Sequence, residues 1–145
     1  MLSDGQRRHI AVFLTRLEET LDDIEWLATQ PLRSDRVLAR ERADLPAGYR
    51  EAMRGDVTAL REDIRRLAEA LQLAPREQSR ARQARALLGT ALVQLEEARA
   101  RSLRAYGPVD AAASSGLDPA LEAIRTRLAR LLHRLTHAGP SGAAS

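Results

Sequence analysis

No cysteine and no lysine occur in the 145 residues, and aromatic side chains make up only 3% of them. Without thiols there is no disulfide framework, no thiolate nucleophile and no thiolate metal site. Without lysine, all 23 cationic side chains are arginine, set against 20 carboxylates for a net charge of +3. The sequence pI of about 10.4 therefore reflects the scarcity of groups titrating between carboxylate and guanidinium, not a strongly cationic chain. An all-arginine inventory reads as codon bias before it reads as a phosphate site. No apolar run approaches the roughly 20 residues of a membrane span. The opening "MLSDGQRRHIAVFL" has neither a long apolar core nor a small-residue cleavage site, so a cytoplasmic, soluble chain without a signal peptide is expected. The eight glycines are scattered and form no phosphate-cradling loop.

What is present is helical period. Ile10, Leu14, Leu17, Leu21, Ile24 and Ala28 recur four and three apart, one face of a long helix. Ser3 with Gln6 fits a capping box, and Gln30-Pro31 ends the run. A second seam runs Met53, Val57, Leu60, Ile64, Leu67 and Leu71, between Pro46 and Pro75. A third, Ala84, Leu88, Ala91, Leu95, Ala98 and Ser102, is poor in large residues. The fourth is Leu121, Ile124, Leu128, Leu131 and Leu135, with Asp118 expected as N-cap and Pro119 at the first helical position.

Four amphipathic helices with near-3.5 periodicity predict an all-α chain. The expected arrangement is an antiparallel up-down-up-down four-helix bundle over residues 1–138, followed by a disordered tail, residues 139–145. The helix 1 to helix 2 connection is longer than such a bundle requires and is expected to hold a short helix around Asp35 to Arg42. "GPVDAAASSG" at 107–116 is expected as a second long connection.

Candidate sites are sparse. His133 and His137 lie four apart before Gly139-Pro140, where they read as the basic end of a helix. Two ligands, even with His9 near by, fall short of the three or four that zinc sites use. A di-iron bundle needs Glu-x-x-His pairs, but the residues three before the histidines are Gln6, Arg130 and Arg134. The acidic clusters, Glu18 to Glu25 and Glu96-Glu97, fall off the seams and read as solvated faces. No catalytic constellation emerges, so no enzyme activity, cofactor or metal is expected.

Trp26, the one tryptophan, projects away from its seam and is a candidate partner contact. Cover by Leu32, Val37 or Leu38 of the following connection is the favoured expectation, because those apolar side chains need burial. On the bundle topology Arg7, Arg8, Arg76, Arg80, Arg82 and Arg85 gather at one end as a candidate polyanion surface, or else neutralise Glu62, Asp63 and Glu69. Few aromatics are present for stacking on bases. The expected function is a non-enzymatic protein-interaction or scaffold module, partnered by another protein or by itself and not by a membrane. Nucleic-acid binding through the arginines is the alternative, and a metal-binding or enzymatic bundle a lower one.

Overall fold

A computed structural model describes residues 1–137. Among the described residues the fold is all-helical, without strands: α1 (Asp4–Thr29), α2 (Tyr49–Ala70), α3 (Arg80–Glu97), a short α4 (Ala100–Leu103) running into a single 3-10 turn (Arg104–Tyr106), and α5 (Ala111–His137). The expected tail, residues 139–145, and the Gly139-Pro140 stop lie outside the described residues. The chain divides into two compact units, Met1–Pro75 and Arg76–Ser145.

In the N-terminal unit α1 packs on α2. The capping box forms as the sequence predicts: Gln6 N donates to Ser3 Oγ at 3.2 Å and Ser3 N donates to Gln6 Oε1 at 2.9 Å, so two orphan donors at the helix start are satisfied. Gly48, at φ 81, turns the chain into α2 through a left-handed conformation that side chains other than glycine resist. At the far end of α2 the Leu73 N–H donates to Ala68 O at 2.8 Å and the Gln72 N–H to Glu69 O at 3.0 Å. These are the two bonds of a Schellman stop, with Gln72 left-handed at φ 53. Leu14, Leu21, Met53, Val57 and Ile64 form the core, with Ile10, Leu17, Ile24, Ala28 and Leu73 packed against it.

In the C-terminal unit α3 packs on α5. Among the described residues only Ala100 and Leu121 are buried there, in keeping with a seam of small residues on α3.

Three local expectations are corrected. No helix forms between Thr29 and Tyr49; the proposed helix at Asp35–Arg42 is irregular chain. Val37 and Leu38 are 84% and 97% exposed, so no apolar face docks to hold eight residues helical, and a helix so short does not stand alone. The third helix stops at Glu97 instead of running through Ser102. Asp118 Oδ1 accepts from Ala100 N at 3.1 Å and Glu122 holds Arg99 at 2.9 Å, so ties to α5 break the ladder there. The last helix starts at Ala111, eight residues before Pro119, which lies inside it. Its cap is Asp110, whose Oδ1 accepts from Ala113 N at 2.6 Å, while Asp118 is engaged with Ala100. Proline in a helix interior removes one rung but need not end the helix when flanking packing supports it.

Candidate interaction surfaces

Heptad lettering shows how the N-terminal pair is built. Counting Ile10 and Met53 as d, the a positions Leu14, Leu21, Val57 and Ile64 are all buried. Of the d positions, Met53 is buried, Leu17 and Ile24 are half-buried, and Leu60 and Leu67 are exposed. The interface is therefore tilted toward one flank. On that flank Arg61 Nη2 lies 2.8 Å from both Asp22 Oδ1 and Glu25 Oε2. Arg61 and Glu25 are both e positions, which meet across an antiparallel pair. The two carboxylates, Asp22 first, raise the Arg61 pKa further above its ordinary value.

The opposite flank carries the d and g positions and no such clasp. Phe13 and Leu27 stand there, each 58% exposed, together with Leu60 and Leu67. With Leu17, Thr20 and Ile24 between them, Phe13 and Leu27 extend a second four-three stripe along α1. Phe13, Leu27, Leu60 and Leu67 are thus left exposed beside the half-buried Leu17 and Ile24. Sequence reasoning missed this flank because it counted d positions as core. The signal was present in Phe13 and Leu27, apolar residues one step outside the seam.

The C-terminal unit repeats the plan. Arg99 bridges Glu96 and Glu122 at 3.0 and 2.9 Å, and Arg125 binds Glu122 at 3.1 Å. Arg99 Nε is near Glu96 but poorly aligned to donate, so that contact is ionic in character. The Arg125 and Arg99 guanidiniums hold the Glu122 carboxyl below its usual range. Leu87, Ile124 and Leu131 remain exposed. The inward seam of α5 runs through Leu132 rather than Leu131, a correction to the expected register.

The Trp26 ring is 47% exposed. Arg33 covers it, its guanidinium carbon 5.4 Å from the ring centroid, and the Arg33 N–H donates to Glu41 Oε1 at 2.7 Å. Of the expected cover by Leu32, Val37 or Leu38, Val37 and Leu38 take no part, being almost wholly exposed; the segment supplies the Arg33 cation.

Arg7 and Arg8 lie at the start of α1 in the N-terminal unit. Arg76, Arg80, Arg82 and Arg85 lie in the C-terminal unit, the last three on α3. All four are exposed, and among the described residues none has a carboxylate within 4.0 Å. Glu62 and Glu69, the acids expected to neutralise them, are held by Arg65 and Arg66 of their own helix. Bonding to Arg65 lowers the Glu62 pKa from 4.5 to about 2.

His133 and His137 stack with ring centroids 3.9 Å apart, and His137 Nδ1 lies 3.1 Å from His133 O. Among the described residues no three His, Asp or Glu side chains gather closely enough to hold a metal ion. No described helix is long and apolar enough to cross a membrane. The chain matches no family model, no curated protein and no solved structure.

Proposed function

We propose that the chain is a non-enzymatic, cytoplasmic helical module for protein interaction or scaffolding. The observation that supports this reading is the uncovered apolar flank of the α1–α2 pair, Phe13, Leu27, Leu60 and Leu67, opposite a flank clasped by Arg61. Capture of proteins from nuclease-treated lysate by the full chain, beside a folded Phe13→Glu, Leu27→Glu variant, tests it. Proteins retained by the wild type and lost by the variant support the reading; no retained protein and no self-association together overturn it. The antiparallel up-down-up-down four-helix bundle expected over residues 1–138 is the competing proposal for the same residues, since flanks closed within one chain leave no docking face.

Polyanion binding is the second reading, favoured by the unpaired Arg76, Arg80, Arg82 and Arg85. Their charge opposes the dipole at the start of α3, so helix stability does not account for them. Titration of a fluorescent oligonucleotide at several salt concentrations tests it. An Arg80→Glu, Arg82→Glu, Arg85→Glu variant should lose affinity and about one unit of salt slope for each phosphate contact removed. Unchanged binding by the folded variant excludes these arginines.

A further inference from the structure

We propose that α1 pairs with α1 of a second copy, antiparallel, about a two-fold axis passing beside Thr20. The proposal deepens the interaction reading and rests on it. The second stripe of α1, Phe13, Leu17, Thr20, Ile24 and Leu27, is close to palindromic about its centre. Phe13 and Leu27 each stand seven residues from Thr20, about 10.5 Å along the axis. An isologous contact needs this self-complementarity, because each residue must suit the surface that its own symmetry mate presents. Rotation about Thr20 sets Phe13 on Leu27 of the second copy and Leu17 beside Ile24 of the second copy.

The charges follow the same symmetry. Arg16 stands four residues before Thr20 and Asp23 three after it, on the outer edge of the stripe. Rotation brings each Arg16 to Asp23 of the second copy within about one residue rise, roughly 1.5 Å. Both side chains are exposed, and among the described residues neither has an ion-pair partner. Their neighbours Asp22 and Glu25, on the other flank, are already engaged by Arg61. Two complementary ion pairs at the edge fix register and orientation, while the apolar row supplies the area. Thr20 suits the crossing point: it is short, and its Oγ1 donates to Arg16 O at 3.0 Å, so no hydroxyl donor is left for the contact to bury.

Sedimentation equilibrium on the full chain tests this, with wild type, Arg16→Asp, Asp23→Arg, the double exchange, and Phe13→Glu, each checked for helicity by circular dichroism. The expected result is a monomer–dimer equilibrium weakened at least ~10-fold by each single reversal and by Phe13→Glu, and restored to within ~3-fold of wild type by the double exchange. Restoration requires a contact between copies, because residues seven apart on one straight helix do not reach each other. A wild type that stays monomeric up to ~0.5 mM, single reversals without effect, or a double exchange no better than the singles each overturn the proposal. A monomer that still captures proteins through Phe13 and Leu27 refutes self-association alone; a monomer that captures none removes the interaction reading as well.

Discussion

Arg61 on α2 holds Asp22 and Glu25 on α1 with a single guanidinium nitrogen, 2.8 Å from each carboxylate. Its two ion pairs are the only ones between helices in the N-terminal unit among the described residues, and they join residues 39 and 36 positions apart in sequence. Its side chain is 40% exposed, so solvent screens most of its Coulomb energy. Arg61→Ala should cost about 0.5–1 kcal/mol, read as a lower urea midpoint at unchanged m-value, and the loss should shrink in high salt.

Acid should loosen the N-terminal unit in a defined window. Glu62 is depressed from 4.5 to about 2 by bonding to Arg65. A carboxylate with a lowered folded pKa contributes stability that is fully present above its unfolded pKa and lost as pH falls through the folded one. Helicity measured against pH should therefore fall between about 4.5 and 2, and Glu62→Gln should flatten that slope. Arg125 and Arg99 depress Glu122 in the same direction, so Glu122→Gln should have the matching effect on the C-terminal unit.

Gln72→Gly should stabilise the protein. Gln72 occupies the left-handed position of a Schellman stop at φ 53, where glycine carries no Cβ penalty. The gain expected is about 0.5–1 kcal/mol, partly offset by the greater freedom of glycine in the unfolded chain. A thermal melt beside the wild type checks the sign.

Elements set by local chemistry are legible in the sequence; those set by tertiary ties are not. Ser3 and Gln6 fix the start of α1 by reciprocal side-chain to backbone bonds and Pro31, which has no N–H, stops it, so those boundaries were legible. The a positions of α1 and α2 were legible too, because strict four-three spacing leaves one continuous face. Exposure of Leu60 and Leu67 was not, since periodicity identifies an apolar face without saying how far a single partner covers it. Asp118 was misread for a different reason. An Asp-Pro pair has every local mark of a helix start, yet the carboxylate reaches 18 residues back to Ala100 N, a contact no local rule contains. Asp110 before three alanines was the better cap signal and was overlooked. Among the arginines, number and spacing were readable. That Glu62 and Glu69 are claimed within α2 depends on side-chain geometry.

That long-range bond gives a further expectation. Asp118 caps the short α4, whose first residue, Ala100, is 2% exposed. Asp118→Ala should leave the buried Ala100 N–H without its acceptor and destabilise the C-terminal unit by about 1 kcal/mol, within the range for loss of an N-cap. Asp118→Asn, which keeps an acceptor oxygen, should recover most of the loss. Faster amide exchange across residues 100–103 in Asp118→Ala, with α1 and α2 unaffected, would locate the effect.

Trp26 lies at the end of α1 with Arg33 over its ring, and the chain contains no other tryptophan. Indole emission, excited at the red edge of the tyrosine band, is thus a built-in optical label for one half of the molecule. Far-ultraviolet ellipticity sums over every helix, whereas this fluorescence follows the first two. Superimposable denaturation curves from the two signals would mark one cooperative unfolding event; separated midpoints would resolve the unfolding of each half without any dye, tag or substitution.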